Sequence, residues 1–180
     1  MIEQSEQPLA VSYWGPPADE QMHLFDPSGY SLAFEQIGMS LPLTEKFDHH
    51  DRIALKKVVD AYEASIWEAL YPQSFGYVIS ADTVTLTMAQ VDFFLIYLAE
   101  IAIGTVIVFE TGTTVGFHGM GIIPPYRKQG FAEEAMCRLL NRMIDRGKTL
   151  ATLQASAMGK NTYKKIGFSE DFPMLTYVLK

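Results

Sequence analysis

Met120-Gly-Ile-Ile-Pro-Pro-Tyr-Arg-Lys-Gln-Gly-Phe-Ala-Glu-Glu134 reads as a buried strand that turns abruptly into a helix. Gly121, Ile122 and Ile123 close an apolar, β-prone run, and Pro124 and Pro125 then remove two backbone donors, which interrupts pairing to a neighbouring strand. The sheet is expected to open there. From Arg127 to Ala132 the chain offers two cations, successive free amides and Gly130, where backbone can come close to a ligand. The first-turn amides of the next helix point the same way, so the junction suits an anion.

Working outward, Phe131, Ala135, Met136, Leu139, Leu140, Met143 and Ile144 recur at helical spacing. Glu133 and Glu134 occupy the first turn, and Arg146 followed by Gly147 ends the helix. Upstream, Phe93 to Ala99, Ile103 to Phe109 and Thr114 to Ile123 are apolar runs of strand length, an antiparallel meander whose third strand leads into the loop. Downstream, Thr149 to Ala155 is expected to lie parallel to that third strand, completing a β-α-β unit, and Leu175 to Leu179 closes the sheet.

These residues resemble a known family. Ile122-Ile123-Pro124-Pro125-Tyr126-Arg127-Lys128-Gln129-Gly130-Phe131-Ala132 is similar to the acyl-CoA signature of the GCN5-related N-acetyltransferases (GNAT superfamily), V-x-P-x-Y-R-x-x-G-x-G/A. Leu153-Gln154-Ala155-Ser156 and Tyr163-Lys164-Lys165-Ile166-Gly167-Phe168 resemble its second signature, a strand and a short helix ending L-Y-x-K-x-G-F. The two motifs stand in the family's order, with one amphipathic helix and one strand between them. The resemblance implies an α/β (α+β-like) fold, with a mixed, mostly antiparallel sheet splayed at a central parallel strand pair and flanked by helices. It covers roughly residues 91–180 as an acyl-CoA-binding core, within a single domain of residues 1–180.

The rest of the chain is read as follows. Residues 1–9 are a loose tail, Ala10 to Trp14 is a short apolar run, Ala18 to Phe25 a short helix, and Tyr30 to Leu43 mostly extended. Phe25 to Phe34 aligns without gaps on Tyr163 to Phe172, with aromatic, Gly, aromatic, Ser and Phe in register. Residues 10–43 then read as a structural remnant of a second acetyltransferase-like half, although helix-Gly-aromatic-strand is also a common local pattern. A helix is expected from Asp48 or Asp51 to about Glu63, with Ile53, Leu55, Val58, Val59 and Tyr62 on its apolar side. A second short helical stretch carries Ile66, Trp67 and Leu70, and Gly76 to Gln90 fits strand and helix equally.

Composition bounds the function classes. With 180 residues, 48% hydrophobic and 19% charged, the chain can bury a full core without disulfide or metal support. The lone cysteine, Cys137, has no internal partner, no signal-peptide pattern opens the chain, and the apolar runs are too short to span a bilayer, so the expected location is cytoplasmic. A net charge of −7 argues against nucleic acid and anionic membrane as partners and favours a cationic acceptor. A homodimer is compatible with the sequence.

The resemblance implies acetyl transfer from acetyl-CoA, as co-substrate, to a primary amine of a small molecule or a peptide, by direct attack. Arg127, Lys128, Gln129, Gly130, Phe131 and Ala132 would cradle the diphosphate. The strand-end backbone at Met120, Ile122 and Ile123 would pair with pantetheine. A nicotinamide or flavin site would need G-x-G-x-x-G, and this window holds only Gly130. Only a neutral amine attacks a thioester, and the departing thiolate is helped by a proton donor. Tyr163 stands at the family's tyrosine position and is the candidate donor, with Thr162 replacing the usual apolar residue before it; packing beneath the cofactor loop is the alternative.

Some members carry a basic glutamate on the strand entering the loop, but here that position is Gly116. His118, two residues on and on the same face by alternation, is the candidate base, against a hydrogen-bonded histidine with no catalytic part. Glu63, Glu68 and Glu110 are further candidates, and Glu63, Trp67 and Glu68 would lie near the acceptor entrance, against a reading as core aromatic and solvated acids. Ser156 is an N-cap or cofactor contact, because it lacks a G-x-S-x-G elbow. Asp48-His49-His50-Asp51 is a solvated helix start rather than a metal site, since adjacent residues diverge, and no metal is expected. Alternatively the protein binds acyl-CoA without catalysis, as a sensor or subunit.

Overall fold

Three consecutive apolar runs can satisfy their backbone groups only by pairing, and they do so with each other. In the computed structural model, which describes residues 10–15 and 29–179, β4 (Asp92–Leu98), β5 (Ile101–Thr111) and β6 (Thr114–Ile122) form the expected antiparallel meander. The other elements are β1 (Ala10–Trp14), β2 (Tyr30–Pro42), β3 (Ile53–Lys57), α1 (Ala61–Leu70), α2 (Pro72–Phe75) and α3 (Ala81–Thr87) before the meander. After it come α4 (Phe131–Asp145), β7 (Leu150–Ala155), α5 (Lys160–Ile166) and β8 (Ser169–Leu179). The architecture is mixed α/β with mostly antiparallel pairing and one parallel pair, β6 with β7.

The chain divides into two compact units, one drawn from Met1–Ser40 and Gln154–Lys180, the other from Leu41–Leu153. In the first, β1 and β2 lie antiparallel on either side of β8. The short helix expected at Ala18 to Phe25, the tail, and the start of the internal alignment at Phe25 to Ser28 lie outside the described residues. In the second unit the strand order is β7-β6-β5-β4-β3.

Helices cover both faces of the second unit. Trp67, Leu70 and Tyr71 of the α1–α2 segment and Val84 of α3 pack with Phe93 and Leu95 of β4. On the opposite face Phe131 and Ala135 of α4 pack with Ile96 of β4, Ile103 of β5 and Ile53 of β3. Because strand side chains alternate, Ile122 joins the α4 core while its neighbour Ile123 joins the other. The end of β6 is thereby held from both sides. Each such side chain contributes about 1.5–3 kcal/mol of burial.

The helix expected from Asp48 or Asp51 to about Glu63 does not form. Ile53–Lys57 is instead an edge strand, paired from Ile53 with Leu98 to Lys57 with Phe94, and α1 starts only at Ala61. Asp60 is the N-cap, its Oδ1 accepting from the Glu63 amide at 2.8 Å. Over five residues, apolar positions 53 and 55 fit a strand as well as a helix. The open edge of β4 decides, since its backbone groups need partners. The undecided stretch from Gly76 to Gln90 resolves as α3, capped by the Ser80 hydroxyl accepting from the Thr83 amide at 3.2 Å.

Candidate active site and its relatives

Within the second unit the parallel pairing of β6 with β7 runs from Thr114 with Leu150 to Phe117 with Leu153, and β6 continues to Ile122. On its β5 side the register of β6 slips by one residue between Thr105 and Ile107. That slip is a bulge at Gly119 and Met120. Gly119 takes a φ of +53°, and Thr105 Oγ1 donates to its carbonyl at 3.1 Å. The bulge lies in the stretch of β6 that leads through Met120 and Ile122 into the loop.

The loop begins with a 3₁₀ turn over Pro124–Tyr126, closed by the Arg127 amide on the Pro124 carbonyl at 3.3 Å. Arg127 Nε reaches back to the Ile122 carbonyl at 2.7 Å, which ties the end of β6 to the loop. Lys128 and Gly130 both hold positive φ, 61° and 83°. For lysine that conformation costs about 1 kcal/mol or more, and such alternation is the geometry of an anion-binding nest. The first backbone bond of α4 is from the Glu134 amide to the Gly130 carbonyl at 3.0 Å, so the amides of Phe131, Ala132 and Glu133 are left over at the helix start, as in any helix.

On β6, Gly116, His118 and Gly121 pair with Phe109, Ile107 and Thr105, which alternate along β5 and so mark one face. His118 is exposed, and its ring folds back over the glycine, for a Cβ on Gly116 would stand 2.8 Å from Nε2. The segment through α2 crosses this face closely. A Cβ on Gly121 would meet the Phe75 ring at 2.7 Å, and one on Gly119 the Tyr71 ring at 3.0 Å. Tyr71 stacks on Phe75 and Trp67, and its hydroxyl lies 2.6 Å from that of Tyr77. Burial, ahead of the Tyr77 hydrogen bond, holds the Tyr71 phenol well above its ordinary value. Sequence reasoning missed Tyr71, Phe75 and Tyr77; two glycines within a strand were the signal that something crosses it.

Two of the residues expected near the acceptor entrance, Trp67 and Glu63, have surroundings of their own. Trp67 is fully buried, and Glu63 accepts from the Val59 amide at 2.8 Å and pairs with Lys56 at 2.7 Å. Glu110 pairs with Arg146 at 2.9 Å and Lys148 at 2.7 Å. Glu68 is half-buried on α1. His49 Nδ1 lies 2.9 Å from the His50 carbonyl, and no group of three or more metal-binding side chains gathers among the described residues.

The sequence profile of the Acetyltransferase (GNAT) family matches residues 58–168. The chain belongs to this family. No curated protein matches it. Among solved structures it is similar to a GCN5-related N-acetyltransferase from Kribbella flavida, with TM-score 0.70 and 14% identity over 96% of this chain and 68% of that one. A second from Sphaerobacter thermophilus gives 0.72 and 16%, over 96% of this chain and 60% of that one. The ribosomal-protein-S18-alanine N-acetyltransferase from Escherichia coli gives 0.59 and 12%, over 71% and 92%. At these identities the likeness shows the fold. The chain spans about two thirds of the length of the first two.

Ser156 and Tyr163, the family's second motif, lie in the other unit, around the start of α5. Ser156 is not the N-cap of α5; that position is Gly159, whose amide approaches the Ser156 carbonyl at 3.0 Å and its Oγ at 3.3 Å. Three residues of turn separate the serine from the helix, because β7 ends at Ala155. Tyr163 packs edge-on against Phe168 at 5.9 Å, and the Phe168 amide returns to the Tyr163 carbonyl at 3.0 Å. Burial pushes its phenol up to about 12. The ring contact and the backbone bond together join the end of α5 to the turn that follows it.

Proposed function

We propose that the protein transfers an acetyl group from acetyl-CoA to a primary amine by direct attack. The observation that carries this reading is the passage of bulged β6 into the loop, with positive φ at Lys128 and Gly130, and on into α4. Pantetheine amides would pair along Met120 to Ile123, and the diphosphate would sit on Lys128 to Ala132, with Gly130 admitting it closely. The acceptor would approach the β6 face that carries Gly116 and His118 beneath Phe75. An amine of a small molecule or of a peptide fits, and the Escherichia coli structural relative is named as an N-acetyltransferase of a ribosomal-protein alanine.

The amine must lose a proton, attack the thioester carbonyl and expel CoA thiolate. His118 would take the proton, directly or through water. Tyr163 would donate to the departing sulfur. A phenol raised to about 12 stays protonated at any working pH but is a weak acid, so it acts chiefly by hydrogen bonding to the developing thiolate. The reaction would run in the cytoplasm; among the described residues no helix is long and apolar enough to cross a membrane.

Gly116, standing where some members carry the basic glutamate, favours a second reading as a non-catalytic acyl-CoA sensor or subunit. Free-thiol release from acetyl-CoA, followed over polyamines, amino acids, aminoglycosides and peptide N-termini, separates the two. Turnover on any acceptor supports the enzyme. Silence on all of them, with CoA still bound, supports the sensor.

A further inference from the structure

Arg52 lies just before β3, far in sequence from the loop, and yet its guanidinium is built against it. Arg52 Nε donates to Glu134 Oε2 at 2.8 Å, and Nη1 donates to the Gln129 carbonyl at 3.0 Å. The guanidinium carbon stands 4.7 Å from the centre of the Phe131 ring, so its plane is fixed by packing as well. Arginine has five N–H donors in a rigid fork, and these contacts use two of them. The remaining nitrogen, Nη2, is paired with no acceptor among the described residues. It lies 3.3 Å from where a Cβ on Gly130 would be. The open end of the fork is thus held at the glycine where a ligand approaches the backbone.

Glu134 gives the arrangement its second half. Its side chain is only 1% exposed in the first turn of α4, and Oε1 accepts from the Arg52 amide at 2.7 Å and the Ile53 amide at 3.2 Å. An uncompensated buried carboxylate here would repel an anion at the same helix end. Arg52 neutralises it and bridges it to the loop. Arg127, one of the two cations within the motif, has its own Nε committed to the Ile122 carbonyl.

We propose that Arg52 is a diphosphate-binding residue, clamped between Glu134 and the Gln129 carbonyl so that Nη2 meets a phosphate oxygen of the acyl-CoA. This rests on the acyl-CoA reading above. A charge-assisted hydrogen bond of this kind changes affinity by about tenfold to a hundredfold.

The test is titration calorimetry with CoA and with 3′-dephospho-CoA on the wild type, Arg52→Ala and the double variant Arg52→Ala/Glu134→Gln. Arg52→Ala strands the Glu134 charge and lowers the Tm, and the double variant removes that charge and restores it. The expected result is that both variants lose tenfold to a hundredfold in affinity for both ligands, with a shallower salt dependence. Recovery of affinity along with stability in the double variant would make Arg52 purely structural and overturn the proposal. So would a loss confined to CoA, which would move the contact to the 3′-phosphate. If the wild type binds neither ligand, the acyl-CoA reading itself falls; if it binds both and Arg52→Ala binds equally well, only the Arg52 proposal does.

Discussion

Thr105 Oγ1 donates to the Gly119 carbonyl at 3.1 Å, across the point where β6 carries one residue more than β5. Thr105 is 1% exposed, so this hydroxyl has no water to fall back on. The bond pins the bulge in β6 shortly before the loop.

Thr105→Val keeps the shape of the side chain and leaves the Gly119 carbonyl without its donor. Urea denaturation is expected to show a loss of about 1–2 kcal/mol with an unchanged m-value. Gly119→Ala is expected to cost more, since it adds a Cβ 3.0 Å from the Tyr71 ring to a left-handed backbone, itself worth about 1–2 kcal/mol. Equal stability in both variants would mean that the bulge relaxes freely.

Gly130→Val is expected to abolish the thermal shift produced by CoA. Its Cβ would stand between the loop amides and the diphosphate and 3.3 Å from Arg52 Nη2, on a backbone with φ +83°. Circular dichroism should show a folded chain of lower stability. Arg127→Ala should weaken CoA less, because the amides remain, and an undiminished shift in Gly130→Val would exclude this loop as the site.

Tyr163→Phe keeps the ring against Phe168 and removes the hydroxyl. Turnover should drop by about a hundredfold with CoA affinity little altered. Wild-type turnover would leave Tyr163 a packing residue. Stability gives an independent readout. The unfolded chain loses this proton near the ordinary phenol value of about 10, and the folded chain only near 12. Over that interval rising pH therefore favours unfolding. The wild-type Tm should fall more steeply above pH 10 than that of Tyr163→Phe.

His118→Gln preserves a polar side chain over Gly116 but cannot accept a proton from the amine. A fall in kcat of about a hundredfold with unchanged CoA binding is expected if the imidazole is the base. If kcat holds, bound water or a carboxylate takes the proton instead.

Cys137 is buried on α4, and burial pushes its thiol up to about 11. Ellman's reagent at pH 8 should label it slowly in the folded protein and at once in guanidinium. Fast labelling of the native state would mean that α4 opens locally.

The sequence by itself determined the β4–β6 meander, the loop, α4 and the parallel return of β7, because each is written in adjacent residues as an apolar period, a proline break or a cap. The face of β6 shared by Gly116 and His118 followed from strand alternation in the same way. Tertiary structure alone decided that Ile53–Lys57 is an edge strand, since five residues fit two periods and only the open edge of β4 chooses between them. It alone brought Phe75 over Gly121. The pair of Arg52 and Glu134, 82 positions apart, leaves no periodic trace, because a single ion pair is specified by where two backbones meet and not by the pattern along either one.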